Sequence, residues 1–345
     1  MASLTGGSRL DVGKLPAALL SRLISAYGAT GADVIVGPGI GRDAAALAIG
    51  DSVLVAKTDP ITFATHDAPA YLVDVNANDI SCLGAAPKWL LVTTLLPVGT
   101  TEADVESLFA QLGVACSRRG IGLVGGHPEV TLSVDRPVLV GMMLGEATPD
   151  SLIRPGAARP GDLLVLAGAI AIEGTALLAL ERSEALTQLV GADVVGRAKS
   201  LIDTPGISVS ASISAFAGIA GVHAFHDPTE GGLATGVREL AEAAQCGAVL
   251  RRNDVPLLHE TAAIAAALQL DPLGMLASGS LLIAVDPESR VAVEERATAH
   301  GIKIAVIGAL IEESEGFHLI ESDRTCELPE WTTDEVSRAL AKLRS

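Results

Sequence analysis

Aromatic side chains are scarce in this 345-residue chain, at 3% of positions, and so are cysteines, of which there are four. A core with so few aromatic residues has to be built from Ala, Val, Leu and Ile, which suits helices packed on sheets. No two cysteines have C-x-x-C spacing, so the sequence shows neither a thiol redox motif nor a zinc ribbon. Four cysteines in a chain of this length are typical of reduced thiols. We therefore expect a cytoplasmic protein without disulfides.

Basic residues and membrane-type segments are also lacking. The chain has 24 basic and 41 acidic residues, which gives a formal net charge of −17. This charge argues against nucleic acid or an anionic membrane as the main partner, although a local site can still hold a small anion. The longest apolar run, LLVLAGAIAI at 163–172, is too short to span a bilayer. The first residues lack the apolar stretch of a secretory signal.

What the chain does contain is 49% apolar residues, over a length that suits two domains. Strands and helices alternate in both halves, and a segment with three prolines and two glycines, 149–162, separates them. We predict domains at 1–150 and 151–345. The predicted strands of the first half are 33–37, 52–59, 89–97, 121–126 and 137–145, and its helices are 15–27, 68–83 and 101–120. In the second half, strand-like runs at 163–172, 247–257, 277–286 and 303–311 alternate with helices near 173–184, 190–202, 258–268, 287–299 and 332–344.

The segment AFHDPTEGGLATGVREL, 224–240, begins a helix with two glycines. Leu233, Val237 and Leu240 fall on one apolar face, which predicts the helix itself. Gly231 and Gly232 have two explanations. A tight turn needs a backbone without side chains. Alternatively, glycine lets the amide groups of a helix N-terminus approach a phosphate.

Four small polar clusters lie at the edges of predicted strands or helices. They contain Asp43 after a glycine turn, Lys57 and Asp59, Asn76 with Asn78 and Asp79, and His127 with Glu129. Aspartates that meet from several strand ends would suit Mg²⁺, which binds a few carboxylates together with substrate phosphates. For any single cluster, turn formation or helix capping is the commoner explanation of an aspartate at a strand end.

The order of these motifs along the chain carries more information than any one of them. GRDAAAL (41–47), KTDPI (57–61), VNANDISCLGAAPKWLLVTTLLP (75–97), GGHPEVT (125–131), RPGD (159–162), DPTEGGLA (227–234) and LASGSLLIAV (276–285) resemble motifs of the PurM-like (AIR synthase-related) superfamily, and HypE-like proteins within it. The resemblance implies an N-terminal α/β domain whose sheet forms a β-barrel in a homodimer, and a C-terminal α+β domain. It also implies ATP and Mg²⁺ in the cleft.

Residue matching assigns expected roles. The resemblance implies that Asp43, Asp59 and Asp79 bind metal and phosphate, with Asn78 beside them and Lys57 facing a phosphate. The resemblance also implies roles for two other motifs. His127 and Glu129, after Gly125 and Gly126, occupy a segment where many relatives have an acidic residue. Asp227 with Gly231 and Gly232 matches the C-terminal part of the cleft.

The implied activity is phosphoryl activation of an amide-type or other small acceptor. A small-molecule kinase resembling thiamine-monophosphate kinase and a non-catalytic nucleotide-binding assembly protein are the alternatives. The sequence departs from the family in two places. Arg42 stands where many relatives have a second aspartate, and Ser345 stands where HypE-like proteins end in a cysteine. We therefore expect no HypE-type self-modification, and Cys326 is the only nearby thiol.

Overall fold

The first half of the chain forms a six-stranded mixed sheet with helices on one face. The computed structural model describes residues 14–28, 31–61, 67–322, 324–331 and 333–342. The strands of this sheet are β1 (Val34–Val36), β2 (Ala45–Ile49), β3 (Ser52–Ile61), β4 (Ala86–Pro97), β5 (Gly122–Thr131) and β6 (Val138–Ala147), and its helices are α1 (Ala17–Tyr27), α2 (Ala68–Cys82) and α3 (Glu102–Arg119). The strand order is β1-β2-β3-β6-β4-β5, and only β4 and β5 pair in parallel.

Local sequence signals define α3 well. Thr101 is its N-cap, and the Thr101 hydroxyl accepts a hydrogen bond from the amide of Asp104 while the Asp104 carboxylate accepts one from the amide of Thr101. This reciprocal arrangement satisfies two amide groups at the helix start. Gly120 ends the helix in the left-handed conformation, as the sequence predicts.

The second half forms a seven-stranded sheet. Its strands are β7 (Leu163–Ala167), β8 (Val222–His226), β9 (Cys246–Arg251), β10 (Leu281–Val285), β11 (Ile304–Glu312), β12 (Phe317–Glu321) and β13 (Arg324–Glu327), in the order β13-β12-β9-β11-β7-β10-β8. Its helices are α4 (Ile172–Glu181), α5 (Ser183–Val190), α6 (Ala192–Ser200), α7 (Ser210–Phe216), α8 (Gly232–Ala243), α9 (His259–Leu268), α10 (Arg290–Ala299) and α11 (Glu335–Lys342). Pairing is antiparallel except between β12 and β9.

Helix α2 lies at the junction of the two halves. Val165 of β7 and Ile283 of β10 share a hydrophobic cluster with Leu72 of α2 and Val55 of β3, so the core is continuous between the two sheets. The helix is buried on nearly all sides, and its polar Asn76, Asn78 and Asp79 are buried with the rest. Because burying polar groups is unfavourable unless they are paired, these residues need partners at this junction.

Most predicted elements of the sequence are present, and the differences have physical causes. The segment after the glycine turn forms the short strand β2, because Ala45–Ile49 pairs with β3 through a two-residue hairpin turn at Gly50 and Asp51. Strand β5 extends to Thr131, so GGHPEVT lies within a strand rather than after one. The hairpin β12–β13 has no counterpart among the predicted elements. The predicted domain boundary falls between the two sheets, and it stays a prediction.

Candidate functional site

Four carboxylates from both halves of the chain converge at the buried end of α2. Asp43 follows the glycine turn before β2, Asp59 lies on β3, Asp79 lies on α2, and Asp227 directly follows β8. We call these four residues the carboxylate cluster. Asp43, Asp79 and Asp227 are 8%, 3% and 2% exposed, whereas the Asp59 side chain is 33% exposed. The cluster therefore has a buried interior and one open side at Asp59.

Lys57 is the cation that balances the cluster. Its side chain shares the α2-facing side of β3 with Asp59, because residues two apart on a strand lie on the same face. Its Nζ is 2.9 Å from Oδ2 of Asp79 and 3.4 Å from Oδ2 of Asp59. Burial opposes the charge of Lys57, but Asp79 and Asp59 outweigh it, so the pKa of Lys57 is raised above its usual value. Lys57 therefore carries its charge at any physiological pH.

The carboxylates repel one another and are poorly hydrated. Burial, followed by the charge of Asp43, raises the pKa of Asp227 to about 7. Burial also raises the pKa of Asp79, although Lys57 opposes this shift. Asp79 and Asp227 are thus less stable as anions here than in water, and a bound cation would relieve that penalty.

The interior of the cluster fits a divalent cation. Ligand atoms of Asp43, Asp227 and Cys82 all lie within 4.8 Å of one another. Oδ2 of Asp43 and Oδ2 of Asp227 are buried and have no hydrogen-bond partner in the described part of the chain. Carboxylate oxygens are the ligands that Mg²⁺ prefers, and these two oxygens, which lie close together without a partner, could both bind one ion. The Cys82 thiol faces them as a neutral group, because burial and the nearby carboxylates raise the pKa of Cys82.

A histidine that the sequence reasoning missed holds Asp43 in place. Nδ1 of His226 is 2.8 Å from Oδ1 of Asp43, and its Nε2 is 3.1 Å from Oε2 of Glu239 on α8. Glu239 in turn pairs with Lys14 at 3.2 Å. Burial opposes the charge on His226, but Asp43 and Glu239 outweigh it and raise its pKa. The position of His226 next to Asp227 in the chain was the only sequence signal for this role.

The amides of α2 serve mainly as structural links. Asn76 Oδ1 accepts a hydrogen bond from the backbone amide of Asp59 at 3.1 Å, which fixes the strand beside the helix. Asn78 Oδ1 accepts a hydrogen bond from Val209 N at 3.0 Å, and its Nδ2 donates one to the carbonyl of Ile207 at 2.9 Å. Asn78, predicted to bind cofactor, therefore lies beside the cluster and joins α2 to the second half of the chain.

The paired glycines at the start of α8 are explained by the turn that they form. Gly231 and Gly232 have φ values of 85° and 71°, and a Cβ on Gly232 would lie 2.3 Å from the carbonyl oxygen of Leu273. The amide of Gly231 donates to Oδ2 of Asp334 at 2.8 Å, and that of Gly232 donates to the carbonyl of Thr229 at 3.0 Å. Both amides are already paired in this structure, so the nucleotide-binding role of these glycines stays a prediction.

His127 and Glu129 lie apart from the cluster within this chain. They lie on β5, where their side chains are 70% and 49% exposed, and Nε2 of His127 is 3.3 Å from Oε2 of Glu129. In the sheet order, β6 and β4 separate β5 from β3, so β5 is roughly 14 Å from the strand of Asp59. Gly126 on the same strand allows close pairing, because a Cβ there would lie 1.9 Å from the carbonyl oxygen of Val92. Gly125 lies exposed beside it, and the predicted site roles of this segment remain predictions.

Arg42, the residue before Asp43, points away from the cluster. Its Nη1 donates to the carbonyl of Gly37 at 3.2 Å. Its side chain lines a crevice with Gly39, Gly156 and Glu242, and none of the four residues of the carboxylate cluster lines that crevice.

A cavity of about 250 Å³ opens beside Asp59, the exposed member of the cluster. Pro60, Ile61, Val75 and Leu276 form its apolar walls, and Lys14, Glu173, Thr229, Glu230 and Ser278 supply its polar lining. It lies between β3 and α2 on one side and α4 with the loop before α8 on the other. We call it the Glu173 cavity, after its most buried carboxylate.

Family models and a curated relative identify the same family for this chain. Two models of the AIR synthase related protein family match the chain, the N-terminal domain over residues 41–147 and the C-terminal domain over residues 159–320. The chain is 28% identical over 290 residues to carbamoyl dehydratase HypE of Rhizobium leguminosarum bv. viciae, and the alignment covers 80% of this chain and 79% of the relative.

Two solved structures share the fold. Hydrogenase maturation protein HypE in complex with ATP has a TM-score of 0.68 and 22% identity, and the alignment covers 83% of this chain and 87% of that one. AaThiL complexed with AMPPCP and TMP has a TM-score of 0.67 and 19% identity, with 85% and 91% covered. No helix among the described residues is long and apolar enough to cross a membrane.

Proposed function

Because the chain belongs to the AIR synthase-related family and has the two-domain PurM-like fold of its HypE-like members, we propose that it is an ATP- and Mg²⁺-dependent enzyme that activates a small acceptor by phosphoryl transfer. The observation that carries the proposal is the convergence of Asp43, Asp59, Asp79 and Asp227 around Lys57, with two orphaned carboxylate oxygens inside. A relative of this fold has been solved with ATP, and another with AMPPCP.

Each residue has a role in this proposal. Asp43 and Asp227 hold Mg²⁺ through their unpaired oxygens, with Asp59 and Asp79 beside them. The metal neutralises charge on the phosphates when it is bound. Lys57, held between Asp79 and Asp59, presents its ammonium group to a phosphate oxygen. His226 keeps Asp43 oriented, as outer partners of metal ligands commonly do. Catalysis then rests on positioning and charge neutralisation rather than on a covalent intermediate.

We further propose that the protein is a homodimer built on the first sheet. The face of this sheet opposite α2 is apolar and is not covered by the described residues, with Trp89 and Met142 at 39% and 45% exposure, and β5 is exposed over almost its whole length. Apolar surface of this kind marks an interaction site. A second subunit on this face would also cover His127 and Glu129, because they pair with Thr93 and Leu95 of β4 and so share that face of the sheet.

The test of the main proposal is nucleotide binding and turnover. Calorimetry should detect ATP binding with Mg²⁺ and none after chelation, and incubation should release ADP. A chain that binds no nucleotide with any divalent cation would contradict the proposal. Binding without ADP release, in the presence of candidate acceptors, would instead support an assembly protein.

A second candidate is a small-molecule kinase, which the fold similarity to AaThiL in complex with AMPPCP and TMP favours. Product analysis separates the two activities. A kinase leaves the phosphoryl group on the acceptor, whereas activation for dehydration or ligation releases it as inorganic phosphate. Phosphorus NMR of the reaction mixture distinguishes these products directly.

A further inference from the structure

The Glu173 cavity combines apolar walls with a small group of buried polar side chains at one end, which is typical of small-molecule sites. Glu173, in the first turn of α4, is 7% exposed, and Ser278 is 1% exposed. Ser278 Oγ has no hydrogen-bond partner of good geometry in the described part of the chain, and it lies within reach of the Glu173 carboxylate, whose pKa it lowers against the larger effect of burial. A buried hydroxyl with incomplete hydrogen bonding at the wall of a cavity points to a polar group that is bound there.

A second orphaned group lies behind the same carboxylate. Tyr71 of α2 is 1% exposed, and its hydroxyl has no hydrogen-bond partner in the described residues. Tyr71 packs in one hydrophobic cluster with Ile172, the residue before Glu173, and burial, followed by the charge of Glu173, raises the pKa of Tyr71. Glu173 thus lies among two hydroxyl groups whose hydrogen bonds are incomplete, and none of the three belongs to the carboxylate cluster.

The charge around the cavity is negative. Among the described residues, three carboxylates, those of Asp59, Glu173 and Glu230, line it together with one ammonium group, that of Lys14. Lys14 pairs with Glu239 at 3.2 Å and also opposes the rise in the pKa of Glu230, so this one cation offsets only part of the negative charge. An anionic ligand would meet repulsion here, whereas a cation or an N–H or O–H donor would be stabilised.

The cavity also lies beside the place where a phosphate would be. Asp59 lines the cavity on one side and contacts Lys57 at 3.4 Å on the other. A molecule in the cavity would therefore reach the open side of the carboxylate cluster. Resting on the proposed function, we infer that the Glu173 cavity is the acceptor pocket and that Glu173 selects acceptors with a positive charge or a hydrogen-bond donor, and excludes anionic ones.

Four probes in two matched pairs test this selectivity: n-butylammonium and butyl phosphate share a butyl tail, and butyramide and butyrate share a propyl tail. Within each pair the apolar walls meet the same tail, so the difference in affinity reports the head group. Saturation-transfer NMR titrations at pH 8, above the raised pKa of Glu173, should show n-butylammonium binding at least roughly tenfold more tightly than butyl phosphate, and butyramide at least roughly tenfold more tightly than butyrate, because a hydrogen bond to a charged group contributes about a factor of ten or more. Equal affinity for butyrate, or no saturation transfer to any of the four probes, would overturn the inference.

Variants locate the effect. Glu173→Gln keeps the size of the side chain and removes its charge, and n-butylammonium should lose at least roughly tenfold in affinity while butyramide loses less. Glu184→Gln, the same change at an exposed position on α5, is the matched control and should leave all four affinities as they are. Unchanged n-butylammonium affinity in Glu173→Gln would show that Glu173 does not select the ligand.

Nucleotide binding, measured on the same samples, separates this inference from the proposed function. Saturating Mg²⁺-ATP should not displace n-butylammonium, and displacement would place the nucleotide in the cavity and overturn the acceptor assignment. If the wild-type chain binds no Mg²⁺-ATP, the proposed function fails, and the assignment of an acceptor pocket fails with it even if the probes bind. If ATP binds and the probes do not, only the inference about the cavity fails.

Discussion

Replacing Asp59 with asparagine is the most informative single change to the carboxylate cluster. Asp59 is the member at the open side, and its side chain is 33% exposed. Asparagine keeps the shape of the side chain, and the backbone hydrogen bond from Asp59 N to Asn76 Oδ1 does not involve the altered group. The change therefore removes one negative charge and leaves the strand where it is.

The expected magnitudes differ for folding and for binding. Lys57 keeps its closer partner, Asp79, at 2.9 Å, and the lost pair at 3.4 Å is partly exposed. Partly exposed ion pairs contribute at most about 1 kcal/mol, so the free energy of unfolding should fall by less than that. Loss of a carboxylate that faces Mg²⁺ removes an interaction with a charged group, worth about 2–3 kcal/mol. Mg²⁺-ATP affinity should fall by roughly 30- to 150-fold.

Isothermal calorimetry with Mg²⁺-ATP and urea denaturation of the free protein measure the two quantities. Asp51→Asn, in the exposed turn between β2 and β3, is the control for loss of one carboxylate from the same hairpin. It should alter neither quantity beyond a few tenths of a kcal/mol. Equal nucleotide affinity in the wild type and Asp59→Asn would refute the assignment of Asp59. A large loss of stability would show that its role is structural.

Three further predictions concern pH, assembly and thiols. Burial raises the pKa of Glu173 from 4.5 to about 7, so the stabilisation that its protonated form gives the native state is complete below pH 4.5 and is lost as pH rises through 7. In urea denaturation, the free energy of unfolding of Glu173→Gln should match that of the wild type at pH 4 and exceed it at pH 8 by up to about 3 kcal/mol. A difference that does not change with pH would count against this. Light scattering should give a dimer mass, and Met142→Lys on the apolar face should give a monomer; a wild-type monomer would contradict the dimer. Cys326 is the exposed thiol among the four free cysteines, so it should react first with Ellman's reagent. After incubation with a carbamoyl donor, its transferase and ATP, the intact mass should show no adduct on Cys326, because its pairing with Leu319 anchors it in β13.

Local sequence signals were sufficient to predict helices whose ends or apolar face are set by nearby residues. The capping residues of α3, Thr101 and Gly120, and the apolar face of α8 act within one or two turns, so their effects can be predicted without the rest of the chain. The hairpin β12–β13 was missed because the pairing of β12 with β9 joins strands that are distant in sequence. Its stability comes from that pairing rather than from its own composition.

The sequence by itself determined the composition of the core, the order of most elements and the family, because motif order and periodicity are properties of the chain alone. It also identified Asp43, Lys57, Asp59, Asp79 and Asp227 as candidate residues. Only the tertiary structure decided that these five meet at the end of α2, since they come from segments far apart in the chain.

The tertiary structure also decided what the sequence left open. It showed that His226 and Glu173 are buried near the cluster, and that the amides of Gly231 and Gly232 are already paired. The physical reason is that burial, hydrogen-bond partners and the spacing of charges depend on which distant segments pack together. A residue's type and its sequence neighbours do not contain that information.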